Sequence, residues 1–262
     1  MSTTDAVIRP RPVPDPRLRL FVLHHAGASH VPYRAWAGHL PPEWELCLLE
    51  APGRGTRRGT PARTAGDLAG ILLEDVRPWT DRPYAVFGHS MGAIAGYELT
   101  LALRDHGLPL PCWLGLSSAR APEHHPRRDG RRFDLPDAEL RSVILEMGGT
   151  PREVLEEPGL WGYLEPILRA DLQLVDTWQP RTGAVPLPVP LSVFSGAADK
   201  GALPHLMDTW AAHTSRFAGA HVLDGGHFYF QPDPSALIHR IVTDIRGNSV
   251  PGGEPFPVEG TL

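Results

Sequence analysis

The chain has little cysteine, no excess of positive charge and no long apolar run, and each shortage removes a class of protein. Only two cysteines, Cys47 and Cys112, occur in 262 residues, too few for a disulfide framework or a cysteine-built metal site. Each stands in a short apolar run, 45-ELCLLE-50 and 111-PCWLGL-116, where a buried thiol packs as a small hydrophobe. The net charge is −5, whereas nucleic-acid binding shows as a basic excess. No window approaches the roughly 18 apolar residues of a membrane span. The first twenty residues, 1-MSTTDAVIRPRPVPDPRLRL-20, lack the apolar core of a signal peptide. A cytoplasmic protein with no nucleic-acid or membrane partner is expected, and nothing asks for more than a monomer.

What is present is an ordinary globular composition, 42% hydrophobic and 21% charged, long enough for one large α/β domain or two small ones. Several of the 29 prolines crowd the two ends. Residues 1–16 and 247–262 therefore read as flexible tails flanking a domain over 17–246.

Within that domain, strand-like runs alternate with helical patterns. The runs are Leu18–Leu23, 44-WELCLLE-50, 83-PYAVFG-88, 112-CWLGLSS-118, 189-VPLSVFSG-196 and 217-FAGAHVL-223. Between them, Leu68, Ile71, Leu72 and Val76 share one helical face, as do Ile94, Tyr97, Leu101 and Arg104, with Gly107 as a C-cap. The alternation implies a mostly parallel sheet covered on both faces. It breaks between about 133 and 180, where only helical patterns occur, with Leu164, Leu168, Leu172 and Val175 forming a stripe. An insertion after a strand's C-terminal end lies over the ligand crevice of an α/β sheet. It is read here as a lid.

The segment 86-VFGHSMGAIAGYEL-99 places G-x-S-x-G between a strand and a helix, the context of a nucleophile elbow. There Ser90 occupies a strained turn at the positive end of a helix, and its neighbours must be small enough to clear strand and helix. A serine hydroxyl needs a base, and the base an orienting acid, in the chain order Ser, acid, His. The loop 225-GGHFYF-230 puts His227 after the last strand, while 193-VFSGAADK-200 puts Asp199 at the tip of a small-residue loop. Asp224 is too close to His227 in sequence, Asp171 and Asp176 belong to the insertion, and the other histidines read as surface or core residues. The tetrahedral intermediate needs two donors. The backbone N–H groups of Met91, after the nucleophile, and of Ala26, in 24-HHAGAS-29, are assigned, with Gly27 next in line.

The triad alone leaves esterases, peptidases, thioesterases and acyltransferases open. The chain resembles the type II thioesterases, discrete editing enzymes of polyketide synthases and nonribosomal peptide synthetases. The resemblance runs from about Leu18 to Ile241. It rests on 21-FVLHHAGAS-29, 51-APGRGTR-57, the elbow, 117-SSARAP-122, 148-GGTP-151, 169-RADLQLVDTW-178, 196-GAAD-199 and 225-GGHFYF-230. It departs from the family pattern at His24 and Ala28 in the early loop and at Ala119 before Arg120. The resemblance implies an α/β-hydrolase fold, a mostly parallel sheet with helices on both faces and a helical lid. It also implies hydrolysis of acyl thioesters on the phosphopantetheine arm of an acyl or peptidyl carrier protein, clearing mis-primed or stalled groups, with no cofactor and no metal. The competing expectations are an acyltransferase or a broad carboxylesterase with the same triad, and a binding protein that has lost catalysis. The arginine clusters 54-RGTRRGTPAR-63 and 127-RRDGRR-132 are read either as a docking surface for an acidic carrier or as solvated loops.

Overall fold

A computed structural model of the chain describes residues 6–125, 131–179, 181 and 183–248. Among these residues, seven strands form one sheet in the order β1-β3-β2-β4-β5-β6-β7. They are β1 (Val7–Ile8), β2 (Leu18–Leu23), β3 (Trp44–Leu49), β4 (Tyr84–His89), β5 (Trp113–Ser117), β6 (Leu187–Gly196) and β7 (Thr214–Leu223). From β2 to β7 every neighbouring pair is parallel, and only β1 is antiparallel, against β3.

Strand side chains alternate between two apolar layers, as a period of two requires. Phe21 and Leu23 of β2, Cys47 and Leu49 of β3, and Val86 of β4 face helices α1 (Ala65–Val76) and α2 (Met91–Asp105). Leu20, Val22, Leu46, Leu48 and Phe87 face the other way, onto Tyr33 and Trp36 of a 3₁₀ segment and onto helix α6 (Ser235–Asn248). Thr64 caps α1, accepting the Asp67 N–H at 3.1 Å.

One expectation is corrected. Residues 6–16 are not a tail. Ala6 and Val7 are buried, β1 pairs with β3, and the fully buried Glu45 carboxylate receives Arg9 at 3.1 Å, the Val13 N–H at 3.0 Å and Arg19 at 3.3 Å. A buried carboxylate needs such partners, and two of them, Arg9 and Val13, come from the segment that composition alone marked as loose. At the other end α6 continues to Asn248, and the rest of the expected C-terminal tail lies outside the described residues. Helix α2 is buried on every side, since every residue from Met91 to Leu103 is buried and not only the face of Ile94, Tyr97 and Leu101. It is enclosed by the sheet, by α1 and by the insertion.

Among the described residues, the insertion between β5 and β6 carries the helices α3 (Asp137–Met147), α4 (Arg152–Glu156) and α5 (Pro158–Thr177). It has a small core of its own, with Leu140, Ile144, Leu155 and Trp161 against Leu164, Leu168 and Leu172 of the expected stripe. The last turn of α5 joins the main core through Leu174, Val175 and Trp178, and the Trp178 indole N–H donates to Glu98 of α2 at 2.9 Å. Among the described residues no helix is long and apolar enough to cross a membrane.

Candidate active site

Strand β4 ends at His89 and α2 begins at Met91, so Ser90 must turn the chain within one residue. It does so at φ 56° and ψ −116°, a conformation costly for a residue with a side chain. A β-carbon on Gly88 would lie within 3.0 Å of the Gly92 carbonyl, and one on Gly92 within 3.0 Å of the Leu23 carbonyl. Neither position admits a side chain while strand, turn and helix keep their places. Both glycines of the motif are therefore steric requirements of the turn.

The structure brings the three expected side chains together. The Ser90 hydroxyl lies 3.1 Å from His227 Nε2, and His227 Nδ1 lies 3.0 Å from Asp199 Oδ2. Asp199 is 2% exposed, and its other oxygen accepts the N–H groups of Gly201 at 2.8 Å and Ala202 at 3.0 Å. One oxygen is thus held by backbone and the other is left for the imidazole. Burial by itself raises the Asp199 pKa. The bond from His227, its charge and the Ala202 N–H outweigh burial and hold the carboxyl below its usual range. With Asp199 ionised, the His227 proton belongs on Nδ1, and Nε2 is free to accept from Ser90.

The loops that carry acid and base are pressed together. A β-carbon on Gly196 would fall within 3.0 Å of the Gly225 and Gly226 carbonyls, and Ala198 N–H donates to Gly225 O at 2.8 Å. The segment 117-SSARAP-122 braces them. Arg120 donates to Gly201 O at 2.7 Å, and Ala119 O accepts the Trp210 indole N–H at 2.8 Å. Asp224 is exposed, His205 is exposed, and His213 is held between Glu123 at 2.7 Å and Tyr97 at 3.2 Å.

Residues 25–28 form a turn closed by Ala28 N–H to His25 O at 3.2 Å, with Gly27 at φ 74° in its third position. The Gly27 N–H is already committed to Asp171 Oδ2 of α5 at 2.8 Å. Of the two candidates in this loop, that leaves Ala26. Met91 is the first residue of α2, where backbone N–H groups lack an intrahelical acceptor.

Sequence reasoning missed a set of buried polar residues around these groups. His25 hydrogen-bonds Tyr33 at 2.8 Å, and His89 bonds Ser117 at 2.8 Å, which in turn meets Tyr229 at 2.8 Å. The His89 ring centre is 5.0 Å from that of His227. Burial first, then the neighbouring imidazoles His24 and His227, lowers the His25 pKa to about 3, and burial with the same kind of neighbours takes His89 far below its ordinary value. Both rings are neutral at pH 7. The only local signal for them was their adjacency to the motifs, in 24-HHAGAS-29 and 88-GHSMG-92.

The arginine clusters divide on burial. Arg54 makes a two-pronged ion pair with Asp171 at 2.5 and 2.7 Å, both side chains 2% exposed. Arg57 pairs with Asp75 at 2.5 Å and donates to Glu50 O at 2.8 Å. Arg132 is buried on Asp176 at 2.5 Å. These three are fold-holding cations, which corrects their reading as docking or solvated residues. Arg58, Arg63 and Arg131 are exposed, and Arg127 and Arg128 lie outside the described residues.

The family model for the thioesterase domain matches residues 18–245 of this chain. The curated protein named linear gramicidin dehydrogenase LgrE, from Brevibacillus parabrevis, is 32% identical over 94% of this chain and 94% of its own. RedJ, a thioesterase from the prodiginine pathway of Streptomyces coelicolor, superposes with a TM-score of 0.78 at 33% identity, over 90% of this chain and 91% of its own. BorB, the type II thioesterase of the borrelidin biosynthetic cluster, superposes at 0.83 and 28% identity, over 94% and 99%.

Proposed function

Since the chain belongs to the thioesterase family, with the α/β-hydrolase arrangement of the type II enzymes of polyketide and nonribosomal peptide pathways, we propose that Ser90, His227 and Asp199 are its catalytic triad. The observation that carries this reading is the unbroken chain from the Ser90 hydroxyl to His227 to Asp199, with links of 3.1 and 3.0 Å, at the mouth of α2. His227 takes the proton as Ser90 attacks the thioester carbonyl. The oxyanion of the tetrahedral intermediate is held by the N–H groups of Ala26 and Met91. As the intermediate collapses, the thiol leaves with the proton from His227 and the acyl group remains as an ester on Ser90. His227 then deprotonates a water that attacks this ester, and the free acid departs. A thiol, with an ordinary pKa of about 8.5, leaves far more readily than an amine, so His227 has only a light task as general acid.

The thiol is the phosphopantetheine arm of an acyl or peptidyl carrier protein, and the physiological role is removal of aberrant or stalled acyl groups. The chain works as a cytoplasmic monomer, with the helical insertion as a lid over Ser90. The test is release of short and long acyl groups from a loaded carrier protein, beside the same groups on a free pantetheine mimic. Serine-dependent release of free acid, faster from the carrier, is expected. Equal release from both would argue against carrier recognition. Transfer to an added alcohol or amine in place of hydrolysis would favour an acyltransferase.

A further inference from the structure

The ion pair between Arg54 and Asp171 joins residues 117 positions apart, and it is buried almost completely. Its two partners come from different layers. Arg54 lies in the loop after β3, and Asp171 lies on α5, inside the insertion. Fully desolvated pairs of this kind add little to stability compared with apolar residues of the same volume. What the pair holds here is the turn that carries Ala26. Asp171 Oδ2 accepts the Gly27 N–H at 2.8 Å, and Arg54 donates to Ala28 O at 3.3 Å. The same carboxylate oxygen therefore binds the turn and the guanidinium, while the guanidinium binds the far end of the turn. Apolar contact adds to the clamp, since a β-carbon on Gly27 would meet Leu168 Cδ2 at 2.5 Å and Leu164 Cδ1 at 3.7 Å, both from α5. Gly55, next to Arg54, donates its N–H to Tyr163 of α5 at 3.1 Å.

We propose that Asp171, clamped by Arg54, is a positioning residue that sets the second oxyanion donor, so that the lid insertion supplies part of the catalytic geometry as well as covering it. The inference rests on the assignment of Ala26 above. Oxyanion stabilisation depends on donors held in place before charge develops. A turn fixed at its third residue by a buried carboxylate, and at its fourth by a cation paired to that carboxylate, meets that need. When α5 is seated the turn is fixed. When α5 lifts, the Gly27 N–H loses its acceptor and Ala26 is no longer constrained.

The test uses backbone esters and one paired substitution in the full-length protein. Glycolic acid in place of Gly27 replaces the N–H that Asp171 accepts by an ester oxygen and leaves every side chain in place. Lactic acid in place of Ala26 deletes the proposed donor itself. The pair Arg54→Met with Asp171→Val replaces the buried ion pair by apolar side chains, so that neither member is left without the other. Readouts are Tm, kcat and KM on a small acyl thioester, and the inhibition constant of an acyl trifluoromethyl ketone, whose serine adduct presents an oxyanion. Expected for the Gly27 ester and for the paired variant are a Tm within a few degrees of wild type, KM within about threefold, and kcat lower by about tenfold or more. Ketone affinity should fall by a similar factor, as loss of part of an oxyanion contact implies. Wild-type kcat and ketone affinity in the Gly27 ester overturn the inference even if the paired variant does not fold. A silent Gly27 ester beside a damaging Ala26 ester removes the role of Asp171 and leaves Ala26 standing. A silent Ala26 ester removes both.

Discussion

The carbonyl of Gly92 occupies the space that a β-carbon on Gly88 would need. The strand that delivers Ser90 and the helix that follows it are therefore in backbone contact, and the turn between them has no slack. Gly88→Ala is expected to leave a folded protein of lower Tm in which the serine is displaced. A misplacement of about 1 Å can cost about 10²-fold in rate. Labelling of Ser90 by a fluorophosphonate, followed against time, reads this directly. Wild-type labelling in a folded Gly88→Ala protein would refute the steric account.

Asp199→Asn keeps the side-chain shape but removes the charge and places donor hydrogens where His227 needs an acceptor. By the behaviour of acid–base–serine systems generally, kcat should fall by about 10⁴ with KM little changed. The carboxyl is held below its ordinary range, so its stabilising contribution is present above about pH 4 and disappears as pH falls through the lower folded value. The difference in urea midpoint between wild type and Asp199→Asn, measured from pH 7 downward, should shrink over that interval. A constant difference would contradict the sign.

His24 and His25 are both buried and lowered to about 3. The unfolded chain takes up their protons at about pH 6.5, whereas the folded chain does so only near pH 3. Stability is therefore unaffected above about pH 7 and declines as pH falls between the two values, by up to about 1.4 kcal/mol per unit for each ring. His25→Gln should flatten part of that decline in equilibrium urea unfolding. An equally steep acid limb would mean that other groups carry it.

Charge reversal separates the arginines by their burial. Arg132→Glu breaks the pair with Asp176, which is 1% exposed at its side chain, and should destabilise the protein by about 3–5 kcal/mol. Carrier-bound and free thioesters should suffer together. Arg58→Glu with Arg131→Glu, both exposed, should raise KM severalfold for an acidic carrier substrate and leave a pantetheine thioester unchanged. Equal effects of the exposed pair on both substrates would exclude docking through these residues.

Much of the candidate site was legible in the chain because its signals are local. The elbow is five consecutive residues, 88-GHSMG-92, and the proposed acid and base each sit in the loop directly after a strand. Alternation of strands and helices was legible for the same reason, since apolar periodicity is a property of each segment on its own. Tertiary structure decided what depends on which segments meet. Whether Arg54 and Arg132 face solvent or a buried carboxylate, whether Val7 and Ile8 find a strand to pair with, and whether α2 keeps a wet face are set by elements distant in sequence. Gly27 and Asp171 stand 144 residues apart. No local pattern encodes such a bond, because its partner arrives only when the insertion folds back over the sheet, and the desolvation that makes it matter exists only after it has done so.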